Sequence, residues 1–130
     1  MLDHVSITVP DLAAAARFYD AAIAALGVPV LGHDERYLRY GARCDAGHPD
    51  RSYLTIRPGP TPEAAPGRHC CFKAPDRASV DAFWRAGLAS GGTDEGAPGL
   101  RPAYHPHYYA AFLCDPAGNR VEAVCHEAPR

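Results

Sequence analysis

With 130 residues, 47% hydrophobic and 22% charged, the chain is long enough for one sizeable core and has the composition of a globular protein. A net charge of −2 without any lysine or arginine run argues against nucleic acid and anionic membrane as partners. Cys44, Cys70, Cys71, Cys114 and Cys125 form an odd set without C-x-x-C spacing. That argues against a disulfide framework or a Cys-based zinc site, and fits reduced, mostly buried thiols in the cytoplasm. The opening MLDHVSITVPDL has no basic run and no long apolar stretch, so it does not read as a signal peptide, and no segment is apolar enough to span a bilayer.

The first alternating stretch, LDHVSITV, puts Val5, Ile7 and Val9 on one face and His4, Ser6 and Thr8 on the other, the pattern of a half-buried strand. Pro10-Asp11 then opens a helix, with Asp11 as N-cap and Leu12, Ala15, Tyr19, Ala22, Ile23 and Leu26 at helical spacing, ending near Gly27. Three strands are expected next, at about 28–32, 36–43 and 52–57. The proline-rich PGPTPEAAPG reads as an extended linker.

RHCCFKA begins the second half with the same alternation: Cys70, Phe72 and Ala74 on one face, His69, Cys71 and Lys73 on the other. Pro75-Asp76 caps a second helix carrying Val80, Phe83, Trp84 and Leu88 before Gly91 and Gly92. The helix aromatics read as core. A strand within TDEGAPGLRPAYHPH is obscure, whereas 108–114 and 120–126 are clear strands joined by the turn DPAGN.

The halves correspond without a gap. Adding 65 takes His4 to His69, Pro10 to Pro75, Asp11 to Asp76, Phe18 to Phe83, Tyr19 to Trp84 and Gly27 to Gly92. The fold class is therefore α+β: two tandem βαβββ modules, 1–58 and 67–130, joined by a linker at 59–66 in one domain.

Glu122 sits between apolar residues in the last strand, where an unpaired carboxylate costs several kcal/mol to bury. Its symmetric position in the first half is Arg57 (122 − 65 = 57). His4, His69 and Glu122 thus occupy homologous polar faces, and two imidazoles with one carboxylate form a facial set for a divalent metal. Each histidine alone also reads as a structural strand residue, and Glu122 can pair with Arg57 or Arg120. By strand parity Ser6, Thr8, Tyr53, Thr55, Cys71 and Tyr109 share the polar side. His105 and His107 stand in a loop where they serve either as acid/base groups or as plain surface residues. Cys71 reads as a small buried filler or a reactive thiol.

DHVSITVPDLAAAARFYDAAIAALG, GRHCCFKAPD and YYAAFLCDPAGNRVEAV resemble the opening βα unit, the second-module start and the closing hairpin of the vicinal oxygen chelate superfamily, the glyoxalase/bleomycin-resistance/dioxygenase group. The resemblance spans nearly the whole chain. It implies sheets curled into a cupped, barrel-like mixed-sheet site, with His4, His69 and Glu122 matching the family's metal ligands. The metal would be Zn, Ni, Mn or Fe. Where glyoxalase I has a fourth, carboxylate ligand, this chain offers Thr55 and Arg57, which counts against ordinary glyoxalase I chemistry.

Two functions follow. One is a Lewis-acid enzyme (lyase/isomerase, thiol transfer or oxygenase) acting on a small oxygen-bearing substrate. Arg57 or Lys73 would hold an anionic group, Tyr53 and Thr55 would line the site, and Tyr109 or His105 would move a proton. The other is a metal-free binder like the bleomycin-resistance proteins, with aromatic walls drawn from Tyr37, Tyr40, Tyr53, Tyr108 and Tyr109. By analogy with short family members, a homodimer is expected.

Overall fold

Asp11 and Asp76 cap their helices as their places after proline require. Asp11 Oδ1 accepts from the Ala14 N–H at 3.0 Å, and Asp76 Oδ1 from the Ser79 N–H at 2.7 Å. The computed structural model describes residues 1–129; Arg130, the last residue of the expected second module, lies outside them. The first module runs β1 (His4–Val9), α1 (Leu12–Ala24), β2 (Val30–His33), β3 (Leu38–Gly41) and β4 (Tyr53–Pro58). The second runs β5 (Cys70–Lys73), α2 (Arg77–Ala89), β6 (Thr93–Leu100), β7 (Tyr109–Cys114) and β8 (Arg120–Cys125). Residues 59–69 form neither helix nor strand. The α+β architecture of two βαβββ modules is thus the observed one.

Each module makes its own four-stranded mixed sheet, in order β1-β4-β3-β2 and β5-β8-β7-β6. β1 pairs parallel with β4, and β5 with β8; the remaining pairings are antiparallel. The segment left obscure by its sequence is β6. Its pairing with β7 shifts register between Asp94 and Gly96 and again between Gly96 and Gly99, so side-chain alternation is interrupted twice. α1 stops three residues short of Gly27, whose φ of +73° carries the chain through the left-handed turn that follows.

The helices and the helix-facing sides of both sheets share one core. Phe18, Tyr19, Ile23, Ile56, Phe83 and Leu113 are fully buried in or against it. Burying each phenylalanine ring stabilises the fold by about 1.5–3 kcal/mol. Gly87 in α2 lets this packing close, because a β-carbon there would run into Phe18 and Leu113. The turn DPAGN ties the modules together inside the core. Buried Asp115 accepts from Tyr19 Oη at 2.7 Å and from the backbone N–H groups of Ala117 and Asn119, both at 2.9 Å. The Asn119 side chain donates to Asp115 (3.0 Å) and across to the Thr8 carbonyl (3.3 Å).

The opposite face of each sheet stays open. His4, Ser6 and Arg57 are exposed on the first, and Cys71, Lys73 and Arg120 on the second. All five cysteines are free, but only Cys125 is buried, which corrects the expectation of mostly buried thiols. Among the described residues no helix is long and apolar enough to cross a membrane.

Candidate functional site

The centre of the second sheet's open face is Glu122. It is 2% exposed although it faces away from the helices. Its register partners are Cys71 on β5 and Phe112 on β7. Burial of this carboxylate is offset by two bonds: His69 Nε2 lies 2.9 Å from Oε2, and Tyr108 Oη donates to Oε1 at 2.5 Å. Neither Arg57 nor Arg120 meets this carboxylate; the imidazole of His69 does. The His69 ring is fixed from its other side, where Nδ1 donates to the Gly67 carbonyl at 2.8 Å. A carbonyl only accepts, so Nδ1 carries that proton and Nε2 is the atom presented to Glu122.

Tyr108 takes the place that parity had given to Tyr109. Because Phe112 pairs with Glu122, the even-numbered residues of β7 and its approach share the Glu122 face, while Tyr109 turns to the helix side. There Tyr109 Oη donates to Asp81 of α2 at 2.7 Å, and the Arg77 guanidinium lies 5.1 Å from its ring. Burial and the Glu122 carboxylate push the Tyr108 hydroxyl well above its ordinary range, so it remains a proton donor. The clue that distinguishes the two tyrosines is the turn: counting back across DPAGN from Glu122 lands on 112, 110 and 108.

Cys71 is exposed, and is not the buried filler its neighbours suggested. Its thiol is nevertheless pushed up to about 12, first by desolvation and then by the adjacent Glu122. That makes it a poor nucleophile at neutral pH. His105 joins a partner that sequence reasoning missed, His126, with 2.8 Å between Nε2 and Nδ1, and both rings pack edge-on to Tyr108. His105 Nδ1 accepts from the His107 backbone N–H at 3.1 Å, so Nε2 carries the proton shared with His126. Lys73 is exposed on the same face, opposite Val124.

The first sheet's open face is organised differently. His4 lies half in solvent, its Nδ1 2.6 Å from Asp3, whose carboxyl that bond holds below its usual range. Its ring stacks on Tyr53 with centroids 5.0 Å apart. Thr55 is buried between its register partners Ser6 and Arg39, and Arg57 is exposed opposite Thr8. Arg39 lies 4.0 Å from the Tyr37 ring with its Nε buried and, among the described residues, without a hydrogen-bond partner. Tyr40 is no wall residue: it is buried on the helix side, where its hydroxyl donates to Asp20 at 2.7 Å. Thus one chain brings His69 and Glu122 together and leaves His4 on the other sheet, and no group of three His, Cys, Asp or Glu among the described residues is placed to hold a metal.

The glyoxalase/bleomycin resistance protein/dioxygenase superfamily model matches residues 1–123, nearly the whole chain. The chain belongs to that superfamily. Among solved structures, a glyoxalase/bleomycin resistance protein from Albidiferax ferrireducens T118 is 32% identical, with 96% of this chain and 98% of that one covered and a TM-score of 0.76. A family enzyme from Burkholderia phytofirmans PsJN (18% identity, 96% and 98% covered, TM-score 0.69) shares the fold. So does a lactoylglutathione lyase from Agrobacterium tumefaciens (22% identity, 96% and 92% covered, TM-score 0.61). No curated protein matches. The superfamily includes enzymes and is often metal-dependent. The donors present fit a divalent ion in chemistry: with Nδ1 tied to Gly67, His69 presents Nε2 to the carboxylate at 2.9 Å, close to the separation of two ligands about 2.0–2.1 Å from one ion at a right angle. Among the described residues of a single chain the set stops at two.

Proposed function

We propose that this superfamily member is a metal-dependent enzyme whose centre forms on the second sheet's open face. His69 and Glu122 would hold the ion, and His4 would come from the second copy in a homodimer. The observation that carries this reading is a carboxylate buried to 2% exposure on the sheet face turned away from the helices, bonded to one imidazole. A half-exposed His4 at the symmetric position of the other module supports the sharing. Zn, Ni, Mn or Fe held there would supply Lewis-acid polarisation to the oxygens of a small substrate. Tyr108 Oη would keep the Glu122 carboxylate oriented, as partners beyond the ligands do in metal sites. His105, with its proton on Nε2, would relay a proton; the bond of the Tyr109 hydroxyl to Asp81 on the helix side favours His105 over Tyr109 for this role. Lys73, and Arg57, Tyr53 and Thr55 from the copy that brings His4, would line the cleft. The reaction class is lyase/isomerase, thiol transfer or oxygenation, and the five free thiols support a reducing, cytoplasmic setting.

A second reading, a metal-free small-molecule or antibiotic binder, is favoured by the two-donor set of the single chain. Elemental analysis with size measurement separates them. The enzyme reading expects stoichiometric metal in a dimer, loss in both His4→Ala and Glu122→Ala, and recovery when the two variants are mixed, because each mixed dimer regains one intact set. Metal-free protein after reconstitution overturns it in favour of the binder.

A further inference from the structure

The irregular strand β6 and the residue that follows it build a cation beside the candidate centre. Gly96 is the register partner of Phe112, and a β-carbon on Gly96 would stand 3.2 Å from the Phe112 ring and 3.3 Å from an Arg101 guanidinium nitrogen. A β-carbon on Gly99 would stand 3.1 Å from the other terminal nitrogen. The two glycines therefore leave a bed in which the Arg101 side chain lies back across its own strand. The guanidinium is held there by the Ala97 carbonyl, which accepts from Nη2 at 2.9 Å. Because Phe112 faces Glu122, this places Arg101 on the face of the candidate centre.

Arg120 approaches the same ring from the neighbouring strand. It shares the Glu122 face by alternation along β8, and its guanidinium carbon lies 5.9 Å from the Phe112 centroid, against 5.7 Å for Arg101. His69 completes the group, its ring centroid 6.2 Å from that of Phe112. Among the described residues neither arginine has a carboxylate within ion-pair range, and Glu122, the acid in the middle of the face, is taken by His69 and Tyr108. Two guanidiniums thus lie beside one ring, 5.7 and 5.9 Å from its centroid, each a fork-shaped donor suited to a carboxylate or phosphonate.

We infer that Arg101 and Arg120 form an anion clamp over Phe112, and that the ligand of this face is a small carboxylate or phosphonate carried on a flat, conjugated group. The inference rests on the open face of the second sheet being the ligand site, and it assigns the substrate class and two specificity-determining residues. Phe112 offers the stacking surface, the arginines hold the acidic end, and the ligand's remaining atoms reach toward His69 and Glu122.

The test titrates full-length protein with benzoate and phenylphosphonate, with neutral benzamide and flat-group-free acetate as controls. Bound metal is measured on the same samples. Benzoate or phenylphosphonate is expected to bind at least about tenfold tighter than benzamide and acetate. Arg120→Ala and Arg101→Ala should each weaken the anions by about tenfold, the scale of one charge-assisted bond, and leave benzamide unchanged. Arg85→Ala, an exposed cation on α2, should change nothing. Phe112→Leu should weaken benzoate and benzamide together. Equal binding of benzoate and benzamide, no saturable binding of either anion, or unchanged affinity in both arginine variants overturns the clamp. Metal-free protein that keeps the anion preference overturns the metal centre and leaves the clamp standing.

Discussion

The two sheets descend from one pattern, yet their open faces have diverged in opposite directions. On the second, a buried carboxylate is gripped by His69 and Tyr108 and ringed by aromatic and cationic side chains. On the first, the equivalent position of the last strand is an exposed arginine, and the equivalent histidine meets its neighbour Asp3 and stacks on Tyr53. Arg57 and Glu122 are the clearest contrast: same place in the repeat, opposite charge, opposite burial. Duplication preserved the strands and helices, which answer to packing. The polar faces differ: one sheet holds a buried carboxylate and the other presents its histidine to solvent.

The sharpest way to break this comparison is to remove both members of that symmetric pair. Glu122→Ala should cost about 2 kcal/mol in chemical denaturation, less than a fully buried pair because His69 is partly exposed. Arg57→Ala should stay within about 0.5 kcal/mol. Equal losses would mean that the faces have not specialised.

The adjacent tyrosines test the polarity of the second sheet. Tyr108→Phe removes a bond to Glu122 and should lower metal affinity by about tenfold, measured by competition with a chelator. Tyr109→Phe breaks a bond on the helix side and should lower stability by about 1 kcal/mol without changing metal affinity.

Cys71 reports on the carboxylate without any ligand. With its thiol pushed up to about 12, only about one molecule in ten thousand carries the thiolate at pH 8, so alkylation should be slow despite exposure. Glu122→Gln removes a negative neighbour, lowers the thiol's pKa and should speed the reaction. The folded chain holds this proton more tightly than the unfolded chain. The associated stability is therefore complete below about pH 8.5 and declines as pH rises toward 12. Alkylation at the rate of an ordinary thiol would place Glu122 elsewhere.

The smallest expected shift is that of His4→Ala, within about 0.5 kcal/mol, since the ring is half in solvent. A larger loss would make His4 a structural residue.

What could be read from the amino-acid order follows from these same contrasts. Helix caps, core faces and the duplication were legible because Asp11, Asp76 and the apolar positions obey periods of 3.6 and 2 that packing enforces. β6 was not legible, because Gly96, Pro98 and Gly99 carry no alternation and two register shifts interrupt the count. Alternation within β7 leaves open whether Tyr108 or Tyr109 faces Glu122; the pairing of Phe112 with Glu122 across the DPAGN turn decides for Tyr108. The separation of His4 from His69 escaped for a different reason: alternation tells which face a side chain occupies, but not which face another sheet will meet.

The buried knot of Tyr19, Asp115, Asn119 and the Thr8 carbonyl has a consequence for how such a protein changes over time. By locking the halves through their shared interior, it frees the outer surfaces to vary. Substitutions on the outer face of one sheet touch none of these bonds, whereas a change at Asp115 would disturb both halves at once.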